Sequence, residues 1–151
     1  MKLLLVEDSD DKRAKIYAEL SSRTPSIELL FARSFDSGLR AVAGNRGCID
    51  GMLLDMSMPN FDKSEDPPEH YTGRDLLQQL KLRKLLLPTI VITQLDSFGK
   101  GADQLSLPEL REELAIEFPT CFRGLIYFSS AQDSWKRELA NLLNNFQSAE
   151  K

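Results

Sequence analysis

Two apolar runs in this chain each stop on a carboxylate, and that pairing narrows the folds open to it. Gly51-Met52-Leu53-Leu54 closes on Asp55, and Met56-Ser57-Met58-Pro59 follows at once. Far upstream, Leu3-Leu4-Leu5-Val6 ends in Glu7-Asp8. Runs this short suit strands buried on both faces. An acid at the end of such a strand projects from the C-terminal edge of the sheet, where open α/β folds place their sites. Two strands of this kind bring Glu7, Asp8 and Asp55 together. The cluster repels itself unless a cation binds or one acid stays protonated. This is the outline of a Mg²⁺ site with a carboxylate available for chemistry.

The rest of the chain repeats one rhythm. Strands are expected at Lys2–Val6, Ile27–Ala32, Gly51–Asp55, Thr89–Thr93 and Gly124–Ser129. Helical faces lie between them: Ile16, Tyr17 and Leu20; Phe35, Leu39 and Val42; Leu76, Leu77 and Leu80. Ser106-Leu107-Pro108-Glu109 has the form of a capping box with an early proline. Trp135, Leu139, Leu142, Leu143 and Phe146 form a closing amphipathic stripe. Strands alternating with helices imply an α/β, doubly wound parallel sheet. The order 2-1-3-4-5 would make the two acid-ended strands neighbours.

Two segments break the rhythm. Asp62–His70 and Asp96–Gln104 are polar and carry prolines or glycines, so they read as rim loops near Asp55 that serve partner recognition. Residues 1–147 read as a single domain, and 148–151 as a short polar tail.

The formal net charge of −4, with dispersed basic residues, gives no nucleic-acid footprint. Cys48 and Cys121 have no metal or redox spacing. No apolar run approaches membrane-spanning length, and the N-terminal one is too short for a signal peptide. The expectation is a cytoplasmic protein that touches no membrane. Asp10 and Asp11 are explained by the dipole of the first helix, but helix capping does not account for Asp55 at a second strand end.

With these residues in place, the chain resembles a response-regulator receiver domain, a flavodoxin-like fold, over nearly its whole length. Asp55-Met56-Ser57-Met58-Pro59 matches that family's Asp-x-x-Met-Pro turn. Thr93 matches its hydroxyl residue at the end of the fourth strand, and Gly73 its glycine opening the third helix. The resemblance implies that Asp55 accepts a phosphoryl group from a histidine kinase or phosphotransfer protein. Asp8 and Asp55 would bind Mg²⁺ directly, Glu7 through water, and the Ser57 carbonyl would be a further ligand. Thr93 would hydrogen-bond a phosphoryl oxygen. Such a chain would be a stand-alone receiver, a signalling module rather than an enzyme, acting on an effector protein the sequence does not name. A phosphatase of the haloacid dehalogenase type also uses a strand-end Asp, but it needs a second Asp where Ser57 stands.

One part of the family pattern is missing. Its fifth strand ends in a lysine that pairs with the phosphoryl group. Here the stretch is Leu125-Ile126-Tyr127-Phe128-Ser129-Ser130-Ala131-Gln132, so that position falls on Phe128, Ser129 or Ser130. Lys100 is a candidate substitute, and Tyr127 a candidate for the family's aromatic switch residue. Losing the contact should weaken the coupling between phosphorylation and shape change. The alternative is a receiver-like binding module that acts independently of phosphorylation.

Overall fold

The structure is a computed structural model describing residues 1–63, 71–94, 97–98 and 105–149. Its elements run β1 (Lys2–Val6), α1 (Asp10–Arg23), β2 (Glu28–Ala32), α2 (Phe35–Gly44), β3 (Gly51–Leu54), α3 (Thr72–Leu82) and β4 (Thr89–Thr93). Then come β5 (Ser97–Phe98), β6 (Leu105–Ser106), α4 (Leu107–Glu117), β7 (Phe122–Tyr127) and α5 (Ser134–Ala149). Five strands pair in parallel in the order β2-β1-β3-β4-β7. That is the expected doubly wound sheet, with β7 as its fifth strand.

Side-chain alternation along the strands builds two cores. Leu4, Val6, Met52, Leu54 and Val91 pack with Val42, Leu76, Leu80, Leu110 and Leu114, beneath α2, α3 and α4. Leu3, Leu5, Leu53, Ile90, Ile92, Ile126 and Phe128 pack with Ile16, Leu20, Trp135, Leu139 and Phe146, beneath α1 and α5. Both faces are covered, which is why these strands read as unbroken apolar runs.

Several boundaries differ from the sequence reading: β2 starts at Glu28 rather than Ile27, and β3 ends at Leu54 rather than Asp55. The fifth strand starts at Phe122, because a register shift between Thr89 and Ile90 lets Phe122 pair with Thr89. It ends at Tyr127, although the Phe128 N–H still donates to the Thr93 carbonyl at 2.8 Å. The stretch expected as a loop at 96–104 instead supplies Ser97–Phe98, which pairs antiparallel with Leu105–Ser106. Residues 99–104, and 64–70 of the other expected loop, lie outside the described residues.

Helix α4 starts as expected. Ser106 accepts from the Glu109 N–H while the Glu109 carboxylate accepts from the Ser106 N–H, and Pro108 sits in the first turn. Ser106→Ala is expected to lower stability by about 1 kcal/mol in a urea titration, without changing ligand binding at the sheet edge. Among the described residues, no helix is long and apolar enough to cross a membrane.

Candidate functional site

Strand register assembles the site. Val6 pairs with Leu54 and Leu54 with Val91, so Glu7, Asp55 and Ile92 stand level, one step further on. The Asp55 N–H donates to the Val6 carbonyl at 3.2 Å, and the Glu7 N–H to the Ala32 carbonyl at 2.9 Å. Glu7 continues the Leu3–Leu5 face and Asp55 the face of Leu53, the face that α1 and α5 cover. One carboxylate oxygen each from Glu7, Asp8 and Asp55 lies within 4.8 Å of the others. Glu7 and Asp55 are buried, and Asp8 is half-buried.

The turn after Asp55 is clamped from both sides. The Ser57 backbone N–H faces the Asp55 carboxylate and pulls its pKa down. The Gly73 N–H, at the start of α3, donates to the Met56 carbonyl at 2.9 Å. No side chain fits at that helix start, since a Cβ on Gly73 would lie 2.4 Å from the Asp55 carbonyl oxygen. On the other side, the N–H groups of Phe35 and Asp36 donate to the carbonyls of Pro59 and Asn60. Ser34 Oγ donates to Asp62 Oδ1 at 2.6 Å, and hydrogen bonds from Ser34 and Ser37 hold the Asp62 carboxyl below its usual range. Thr93 is fully buried at the end of β4.

A residue that the sequence reading passed over completes the cluster. Lys12, in the first turn of α1, is 1% exposed. Its Nζ lies 2.5 Å from Glu7 Oε2, 3.4 Å from Asp55 Oδ1 and 2.7 Å from the Ile92 carbonyl oxygen. The sequence carried a signal for it. Ile16 and Leu20 mark the buried line of α1, and one helical step back along that line falls on a lysine. A charged residue on a core-facing line needs partners, and those within reach are the strand-end acids. Lys100, the cation singled out from the sequence, lies outside the described residues.

The cluster answers its own repulsion in both available ways. Lys12 supplies an internal cation. Burial pushes the Glu7 carboxyl up to about 7, Asp55 adds to the rise, and Lys12 only partly offsets it. Burial also raises Asp55, against the pull of Lys12 and the Ser57 N–H. The Ser9 N–H and Lys12 occupy one Glu7 oxygen each, so Glu7 is committed to the start of α1. A set of hard carboxylate oxygens of this spacing fits a divalent cation, with Asp8 and Asp55 the better-placed donors.

Comparisons with known proteins bear on the fold. No protein-family model matches the chain. It is 28% identical over 146 residues to the uncharacterized protein y4jR of Sinorhizobium fredii, covering 93% of this chain and 95% of that one. It is 27% identical over 145 residues to the Detocs response regulatory protein DtcB of Enterobacter cloacae, covering 92% and 95%. Among solved structures, the phosphorylated cyanobacterial phytochrome response regulator RcpA superposes with a TM-score of 0.66 at 17% identity, covering 98% of this chain and 94% of that one. A receiver domain protein from Clostridium thermocellum gives 0.64 at 20% identity, covering 99% and 95%. The Mn²⁺-bound form of response regulator Rcp1 gives 0.60 at 17%, covering 93% and 90%. The fold of this chain is therefore that of the response-regulator receiver domains it resembles, and its acidic cluster lies at the C-terminal edge of the sheet.

Proposed function

We propose that this chain is a receiver that accepts a phosphoryl group on Asp55 with Mg²⁺ and signals by changing its affinity for a partner protein. The donor would be the phosphohistidine of a histidine kinase or phosphotransfer protein. The observation that carries this reading is the position of Asp55: at a strand end, clamped by Ser57 and Gly73, with the Glu7 and Asp8 carboxylates within 4.8 Å. Asp8, Asp55 and the Ser57 carbonyl would hold Mg²⁺, with Glu7 reaching it through water. Mg²⁺ would supply charge neutralisation for the incoming phosphoryl oxygens.

The chain's own groups do the rest. An Asp55 carboxylate oxygen attacks phosphorus, and the P–N bond to the donor imidazole breaks. The nitrogen keeps the electron pair, and the ring leaves neutral because its other nitrogen already carries a proton. The Ser57 N–H orients the carboxylate, and Thr93 would donate to a phosphoryl oxygen. Catalysis of this kind is positioning plus charge stabilisation.

A second reading has one observation in its favour. None of Phe128, Ser129 and Ser130, the positions after β7 on which the family's lysine could fall, is a cation, so the chain could bind its partner regardless of phosphorylation. The tests are direct. With acetyl phosphate and Mg²⁺, intact mass should rise by one phosphoryl group, and Asp55→Asn or a chelator should abolish the gain. No gain under any condition would overturn the phosphoacceptor reading. Equal partner affinity for wild type, Asp55→Ala and the beryllofluoride-bound form would favour the second reading.

A further inference from the structure

We propose that Lys12 is the cation that grips the phosphoryl group on Asp55, and that phosphorylation therefore pulls on the start of α1 rather than on the fifth strand. This deepens the phosphoacceptor reading and rests on it.

The geometry of one sheet face carries the inference. Glu7, Asp55 and Phe128 all stand at the C-terminal edge on the face that α1 and α5 cover. A cation entering from β7 would have to occupy the place of Phe128, which is 1% exposed and fills that corner with carbon. Lys12 reaches the same corner from α1, with Nζ 5.9 Å from the centre of the Phe128 ring. Of the other cations that the described residues place in ion pairs, Arg33 comes nearest, pairing with Asp10 and reaching the Asp8 backbone carbonyl at 3.4 Å, but none pairs with the Glu7, Asp8 or Asp55 carboxylates.

The three hydrogen-bond positions of Nζ are unequally held. The Glu7 contact is close, at 2.5 Å, and the Ile92 contact is to a neutral carbonyl at 2.7 Å. The Asp55 contact is stretched, at 3.4 Å. A phosphoryl group on Asp55 adds negative charge and new acceptor oxygens at the stretched position. A charge-assisted bond there outcompetes a neutral carbonyl. Lys12 then leaves Ile92 and turns toward the modified Asp55. Its backbone lies in the first turn of α1, where its own N–H donates to the Ser9 side chain and the Glu7 carboxylate accepts from the Ser9 N–H. The movement is handed to that turn. Trp135 packs against Phe128 at a tilt, with ring centres 4.9 Å apart and planes at 47°, on the same sheet face.

A lysine that only balanced the charge of three acids would sit in a similar place, so the test must separate the two roles. Removing Lys12 removes a like charge from beside the metal, so both roles predict tighter binding of Mg²⁺ alone. They part on the phosphoryl analogue. We expect Lys12→Met to bind Mg²⁺ alone more tightly, read by Trp135 fluorescence. At saturating Mg²⁺ it should bind beryllofluoride about 10- to 100-fold more weakly, the worth of one charge-assisted hydrogen bond. Adding Phe128→Lys to that variant returns a cation from the fifth strand and should recover most of the loss. Without any substitution, the Lys12 ammonium resonance of wild type should move when beryllofluoride is added to the Mg²⁺-loaded protein. Unchanged beryllofluoride affinity in Lys12→Met, or an unmoved Lys12 resonance while wild type binds the analogue, overturns the role of Lys12 alone. If wild type with Mg²⁺ takes up neither beryllofluoride nor a phosphoryl group, the phosphoacceptor reading falls and this inference falls with it.

Discussion

With metal removed by a chelator, Glu7 is expected to cost the fold about 3 kcal/mol as pH rises from its ordinary value through about 7, and Glu7→Gln removes that loss. The sign follows from the direction of the shift. The folded chain holds the Glu7 proton more tightly than the unfolded chain does, because burial disfavours the charged form. The stabilisation from holding that proton is fully present below pH about 4.5. It fades as pH climbs, and is gone once the folded group also ionises near 7. Asp55 is shifted in the same direction for the same main reason. Carboxylates held low, such as Asp62, act in the opposite direction at more acid pH, so the informative quantity is wild type minus Glu7→Gln. Urea unfolding across this range measures it. A difference that stays flat with pH would contradict the assignment. Mg²⁺ favours the ionised form of the cluster, so its affinity should rise with pH through about 7 and level off above. Saturating Mg²⁺ should then stabilise the neutral-pH protein through its binding to the folded state.

Lys12 explains why the sequence showed the acids of this site but not its balance. The acid-ended strands were legible because strand ends are local: an apolar run stops and a carboxylate follows. The sheet order was legible too, because parallel strands joined by helices have few arrangements. Lys12 carries no such local mark, since a lysine in the first turn of a helix is ordinarily a solvated residue. Its burial depends on which way α1 faces, and that is fixed by Ile16 and Leu20 packing on Leu3, Leu5 and Leu53. The family resemblance points to the fourth and fifth strands for a substitute cation, and Lys100 is the one the sequence offers there. The β5–β6 pairing was hidden for another reason. Strands of two residues each have too little pattern to stand out against the glycines between them. In the sequence, Gly73 stands out through the resemblance alone. Its physical reason, the backbone of Asp55 and Met56 against its Cα, appears only in three dimensions.

Gly73→Ala should be among the most damaging single substitutions in this protein, costing about 2–3 kcal/mol and disabling the site. Helix propensity alone predicts the opposite, since alanine in place of an interior glycine gains up to about 1 kcal/mol. The sign therefore reports the packing. A Cβ at this position would lie 2.4 Å from the Asp55 carbonyl oxygen and 2.9 Å from Met56 Cα, both backbone atoms that cannot rotate away. Met56 Cε, at 2.8 Å, could move, but the wall behind it is the turn that carries the site. Relief requires the start of α3 to back off, which breaks the Gly73 N–H bond to the Met56 carbonyl. The turn then loses the clamp that sets Asp55 and Ser57. Gly44 is the matched control: it ends α2, and a Cβ there meets nothing within 4 Å, so Gly44→Ala should be neutral or gain a few tenths of a kcal/mol. Urea denaturation gives the stability of both variants, and Trp135 fluorescence gives their Mg²⁺ affinity. Gly73→Ala as stable as Gly44→Ala, with wild-type Mg²⁺ binding, would show that α3 does not set the position of Asp55. Loss of stability together with Mg²⁺ binding is the expected result, because one backbone contact serves both the fold and the site.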